Sequence, residues 1–252
     1  MTHRAPFDLF TRSAFGIEPG SRIGSQLESL ASRIDLSKGE TAPLDSKSDR
    51  IVFVARGATK LVAHASAQRQ QIVAFHFGGD IVSVPADGLF AYSVTALRHS
   101  ELLTFPAREF FDQAAGDARI ARSLLERLPI ALQRCRDRAV ALGQGSATER
   151  LAGFLLAMSE RIGRADADRC ELDLPMSRKE IGESLGLTIE TVSRQFGVLR
   201  EMGLVETQGR SRVTIFDRQL LSRKAGHLQQ TQKSSENPAN LISINVGLER
   251  SA

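Results

Sequence analysis

The chain has 252 residues, 42% hydrophobic and 25% charged, with a net charge of +4. That length suits two domains, each large enough to bury a core. Its two cysteines, Cys135 and Cys170, are too few for a disulfide framework or a four-thiolate cluster. No early apolar run resembles a signal peptide and no stretch would span a bilayer, so a cytoplasmic protein without a membrane partner is expected.

Residues 1–47 read as an N-terminal extension, mixed and rich in Ser, Arg and Gly, with one helical candidate from Ser25 to Ile34 and no usable motif. From Arg50 the texture changes. IVFVARGATKLVAHAS, RQQIVAFHFGGDIVSV and YSVTALRHSELLTF alternate apolar and polar residues between glycines and polar turns. Several short strands at this spacing predict a small β-barrel or jelly roll over residues 48–117. Pro106 then opens a short helix, PAREFFDQAAGD, since proline suits a first turn.

A longer helix is expected over residues 118–145. Ile120, Leu124, Leu128, Ala131, Cys135, Arg138 and Leu142 recur at spacings of three and four, close to a heptad seam. Parallel self-association into a homodimer is the economical partner for that seam, and packing onto the barrel of the same chain is the alternative. Pro129 interrupts the pattern and predicts a kink. Gly143 and Gly145 make a hinge before Ser146, which with Glu149 has the spacing of a capping box opening the helix SATERLAGFLLAMSERIG. Arg164 to Glu171 reads as a charged loop, with Cys170 the more exposed thiol and Cys135 a small apolar seam residue.

The most informative stretch is Pro175 to Met202, PMSRKEIGESLGLTIETVSRQFGVLREM, two short helices around a tight turn at Gly186. The first helix buries Ile181 and Leu185 and exposes Arg178 and Lys179. Thr188 caps the second, whose apolar positions are Ile189, Val192, Phe196 and Leu199. Glu190, Ser193 and Arg194, with Thr191 beside them, therefore share the other face. This is a helix-turn-helix in which an arginine has the donors for guanine O6 and N7, and a carboxylate accepts from cytosine N4. The plain alternative is a surface pair of Glu190 with Arg194, worth ~0.3–0.5 kcal/mol. LVETQGRSRVTIFD follows as two strands around Gly209, a wing whose Arg210 and Arg212 are placed for phosphates. Ser177 to Lys224 carries nine Lys or Arg against six Asp or Glu, the sign that nucleic acid favours. The DNA-binding domain spans residues 146–225, and residues 226–252 read as a polar, disordered tail.

In order, a barrel, a dimerising helix, a hinge and a winged helix-turn-helix resemble the Crp/Fnr family of bacterial transcription regulators. FHFGGDIV is similar to a segment of the sensor barrel of Fnr relatives, ATERLAGFLL to the start of their DNA-binding domain, and LPMSRKEIGESLGLTIETVSR to their recognition segment. The resemblance runs from about residue 45 to 225. It implies an α+β fold with a cyclic-nucleotide-binding-like β jelly roll, a long dimerisation helix and a C-terminal winged helix-turn-helix. Glu190, Ser193 and Arg194 match the Fnr-type E-x-x-S-R reader, which implies a TTGAT-N4-ATCAA-like inverted repeat read by a homodimer, with RNA polymerase as a further partner.

The sensor departs from two known signals. A cyclic-nucleotide pocket of this family needs a Glu and an Arg after the GGD turn, and neither occurs between Ile81 and Leu97. The Fnr cluster needs thiolates that a chain without a cysteine before Cys135 lacks. The resemblance is therefore to the cluster-free FixK-like branch, an activator with no cofactor. His64, His76 and His99 lack a partner at ligand spacing, although one of them as a haem ligand would make a gas sensor, the main alternative. A winged-helix adaptor that binds protein is the other. No phosphate loop, nucleophile elbow or metal-ligand helix suggests an enzyme.

Overall fold

The computed structural model describes residues 5–66, 69–166 and 169–226. The chain folds as an α+β protein with a β jelly roll, a long helix and a winged helix-turn-helix. The jelly roll pairs two sheets. One has the order β1 (Ser32–Leu36), β7 (Ser100–Pro106), β2 (Arg50–Arg56), β5 (Ile81–Val84). The other is β4 (Arg69–Phe77), β3 (Ala58–Ser66), β6 (Ala91–Ala96), and all pairings are antiparallel.

Strand β2 explains why its sequence reads as nearly continuous apolar residues. Val52 and Val54 pack between the sheets with Val82, Val84, Val94 and Leu102, whereas Ile51, Phe53 and Ala55 face the N-terminal segment. A strand buried on both faces loses its alternation.

That second face is where the N-terminal extension packs. α1 (Ala5–Leu9), a π-helical turn (Phe10–Ala14) and α2 (Arg22–Leu30) lie against the jelly roll. Phe10 is fully buried among Phe15, Phe53, Phe105 and Phe110, at ring-centroid distances of 4.8–6.3 Å. The helix expected over Ser25–Ile34 ends at Leu30. Ser32–Ile34 instead belong to β1, paired with β7.

α3 (Ala107–Ala115) leads into α4 (Ala118–Gln144), capped by the Asp117 carboxylate and continuous through Pro129. α5 (Ala147–Ile162) opens the C-terminal domain, and Ser146 with Glu149 forms the expected capping box. Its sheet has the order β10 (Val205–Gln208), β11 (Arg212–Ile215), β9 (Arg169–Asp173), β8 (Arg164–Asp166), followed by α8 (Arg218–Lys224). The segment expected as a charged loop is thus largely a hairpin, which buries Cys170, while Cys135 is the exposed thiol. Burial raises the Cys170 pKa, with the Arg218 charge opposing it. The tail expected to be disordered lies, beyond Gly226, outside the described residues.

Candidate nucleic-acid interface

α6 (Arg178–Leu185) and α7 (Ile189–Glu201) form the helix-turn-helix. The Ser177 hydroxyl accepts from the Glu180 N–H while the Glu180 carboxylate accepts from the Ser177 N–H, a capping box at the entry to α6. Gly186 ends the helix with φ +65°, a conformation that strains any residue with a Cβ. Thr188 then caps α7 by accepting from the Thr191 N–H at 3.2 Å, and the two threonine hydroxyls lie 3.1 Å apart.

α7 buries Val192, Phe196 and Leu199 as its periodicity predicts, but Ile189 is exposed. The fourth inward position is Gln195, whose Oε1 accepts from the Thr148 hydroxyl of α5 at 2.5 Å. A buried polar side chain escaped the apolar pattern because its partner lies on another helix.

Glu190, Ser193 and Arg194 are all exposed on the outer face of α7. The Ser193 hydroxyl donates to the Ile189 carbonyl at 2.9 Å, which leaves its lone pairs outward. Among the described residues Glu190 and Arg194 form no ion pair, so both heads are free for another partner. Lys179 is exposed and lies 3.8 Å from Glu183 one turn on.

Two of the cations expected at the DNA-binding surface, Arg178 and Arg212, are placed differently. The Arg178 guanidinium is not exposed: it lies over the Phe196 ring, 3.2 Å from its centroid. Burial, and then the charge of Arg200, pull its pKa down to about 10. Stacked there, it joins α6 to α7. Arg210 is exposed in the turn between β10 and β11, but Arg212, the first residue of β11, turns toward the barrel and lines a cleft with Arg98 and Asp173. Its Nη1 lies 3.5 Å from the Gln208 amide oxygen.

The long helix divides its expected seam between two faces. Ile120 is fully buried and Leu124 packs beside it, both against the N-terminal phenylalanines. Leu142 approaches Gly186, within 3.9 Å of the position of its missing Cβ. These three belong to intrachain contacts. Arg138, expected within the seam, bonds the carbonyls of Ile72 and Ser184, and burial lowers its pKa. Leu128, Ala131 and Cys135 face outward, and Leu128 joins Leu125 and Leu132 as large apolar side chains more than half exposed. Leu125, Leu128, Leu132, Cys135 and Ala139 step by three and four, a stripe that shares Leu128 and Cys135 with the expected seam and is centred about 65° around the helix from it.

The periodicities gave no sign that the barrel and the C-terminal helix-turn-helix domain share one core, in which Ile72, Phe75 and Phe77 join Leu155, Phe154 and Ile181. Polar contacts frame it. The Lys60 ammonium donates to Glu180 at 2.9 Å, the Gln71 amide donates to the Glu183 carbonyl at 2.6 Å, and Arg161 bonds Asp80 and the Phe75 carbonyl. His76 lies in this node. Burial lowers its pKa to about 4 despite Asp80, with Arg161 and Arg134 adding to the fall, so it is neutral near pH 7. His64 bonds Ser93, and His99 lies exposed in the turn after β6.

Residues 149–224 match the family of Crp-like helix-turn-helix domains. The chain is 32% identical over 180 residues to the nitrogen fixation regulation protein FixK of Azorhizobium caulinodans, covering 71% of this chain and 73% of that one. It is 29% identical over 184 residues to the transcriptional activator protein FnrL of Cereibacter sphaeroides, covering 71% and 74%. Among solved structures it is similar to FixK2 of Bradyrhizobium japonicum, with a TM-score of 0.65 and 29% identity, covering 77% of this chain and 96% of that one.

Proposed function

Because the chain belongs to the Crp/Fnr family of transcription regulators, on its FixK-like side, we propose that it binds a TTGAT-N4-ATCAA-like inverted repeat as a homodimer through α7. The observation that carries this reading is the exposure of Glu190, Ser193 and Arg194 on one face of a helix whose opposite face is locked by Val192, Phe196 and Leu199. Arg194 donates to guanine, Glu190 accepts from the paired cytosine, and Ser193 meets a thymine. Lys179, Arg210 and the Thr188–Thr191 cap supply contacts to the flanking phosphates.

Two protomers meet through the exposed α4 stripe, Leu125, Leu128, Leu132, Cys135 and Ala139, which carries too much apolar surface for a solvated helix. The two-fold axis of that pair explains the inverted repeat. The protein acts in the cytoplasm and recruits RNA polymerase. No helix among the described residues is long and apolar enough to cross a membrane.

Binding requires neither a cyclic nucleotide nor an iron–sulfur cluster. The segment from Ile81 to Leu97 has no cation for a cyclic phosphate, and the space between the sheets is filled by Val52, Val54, Val82, Val84 and Val94. The chain's two thiols are split between an exposed helix and a buried strand, so they do not fit a cluster.

Titration of Arg194→Ala against the TTGAT duplex, a G-to-A version of that half-site and random duplex tests the reader. The cognate site should lose ~1–3 kcal/mol and random DNA much less. An equal loss on all three would show that α7 is not the reader. Arg210→Ala should weaken all sequences alike and reduce the salt slope by about one.

A further inference from the structure

Between the barrel and the outer face of the wing sheet lies a cleft of about 770 Å³, within the size range of small-molecule sites and at a domain boundary, where such sites concentrate. The pairing register sets its charge. Arg164 stands opposite Glu171, and Arg212 opposite Asp173, along three adjacent strands. These residues share one face because Cys170, Leu172, Val213 and Ile215 fill the core on the other. The barrel contributes Arg98, from the turn between β6 and β7.

Among the described residues four guanidiniums thus line the cleft against two carboxylates. Arg161 is committed to Asp80 and the Phe75 carbonyl, its guanidinium 4.7 Å above the Phe77 ring. The other three are loosely held. Arg98 lies 3.4 Å from the Asp173 carbonyl and 3.8 Å from its carboxylate. Among the described residues Arg164 and Arg212 form no ion pair. Three forked donors from two domains, facing one cavity with Glu171 and Asp173 as the acids among the described lining residues, leave an excess of guanidinium that suits a phosphate, whose oxygens accept paired N–H bonds.

We propose that this cleft binds a small phosphorylated molecule of nucleotide size, gripped by Arg98 from the barrel and by Arg164 and Arg212 from the wing. Such a ligand bridges the two domains and holds Arg212 away from DNA. Its binding to the free protein is independent of the operator reading, so the two stand or fall separately.

Isothermal titration of the full chain with pyrophosphate, AMP and uncharged adenosine tests it. Pyrophosphate or AMP should bind with a Kd below about 1 mM, and adenosine should not. Arg98→Ala and Arg164→Ala should each weaken binding by about ten-fold or more, as expected when a charge-assisted fork is lost. Arg98→Lys, which keeps the charge without the fork, should fall between, and Arg210→Ala should bind like the parent. Unchanged circular dichroism confirms that each variant is folded. Absence of binding by both phosphate probes overturns the proposal, as does binding that survives loss of Arg98 and Arg164 or that depends on Arg210.

Discussion

Lys60→Met should loosen the DNA-binding domain from the barrel by a measurable and pH-dependent amount. The Lys60–Glu180 contact is 2.9 Å long with the side chains 19% and 20% exposed, so water screens it less than a surface pair. Exposed pairs contribute ~0–1 kcal/mol, and breaking a fully buried one costs ~3–5 kcal/mol. Glu180 keeps bonds from the Ser177 N–H at 2.8 Å and hydroxyl at 2.9 Å after Lys60 is gone, so it is not stranded. The expected cost is therefore ~1–2 kcal/mol near neutral pH. Burial acts to raise the Glu180 pKa, but hydrogen bonds from Lys60 and Ser177 outweigh it, and the net direction is downward. A depressed carboxylate stabilises the fold above its unfolded pKa and loses that contribution as pH falls through its folded value. The gap between parent and variant should be full at pH 7 and shrink below about pH 4. Urea unfolding at both pH values measures it, and a double-mutant cycle with Glu180→Gln isolates the pair. A cost under ~0.3 kcal/mol at pH 7, or a gap unchanged in acid, would refute the reasoning.

Phe10→Ala removes the ring at the centre of the N-terminal aromatic cluster and should cost ~3–5 kcal/mol in urea unfolding; a loss under ~1 kcal/mol would mean that the N-terminal segment contributes little to the jelly roll. Leu128→Glu with Leu132→Glu places charges in the exposed α4 stripe and should give a folded monomer by light scattering with weakened operator binding, whereas a persisting dimer would exclude that face. A Cβ on Gly182 would lie 2.5 Å from the Leu187 carbonyl oxygen, whereas one on Gly186 meets nothing closer than 3.7 Å. Gly182→Ala should therefore lower the melting temperature more than Gly186→Ala, which faces chiefly the positive-φ strain of ~1–2 kcal/mol.

The sequence by itself determined the elements whose causes are local. Alternation marked β3 to β7, the Ser146–Glu149 box opened α5, Gly186 and Thr188 bounded the turn of the helix-turn-helix, and Gly209 turned the wing. Each depends on residues within about one helical turn, whose spacing is readable directly. The outward face of α7 followed for the same reason, since burying Val192, Phe196 and Leu199 leaves Glu190, Ser193 and Arg194 outside. Tertiary structure decided what each face meets. A heptad-like pattern on α4 shows that a helix has an apolar side, but spacing does not identify the surface that covers it. The N-terminal phenylalanines took Ile120 and Leu124, and left the stripe around Leu128 open. Likewise Arg178 reads as a surface cation until Phe196 is found beneath it, and Cys170 as a loop thiol until β8 and β11 close around it. The meeting of Lys60 with Glu180, 120 residues apart, left no trace in either local pattern, because long-range contacts depend on how finished elements pack.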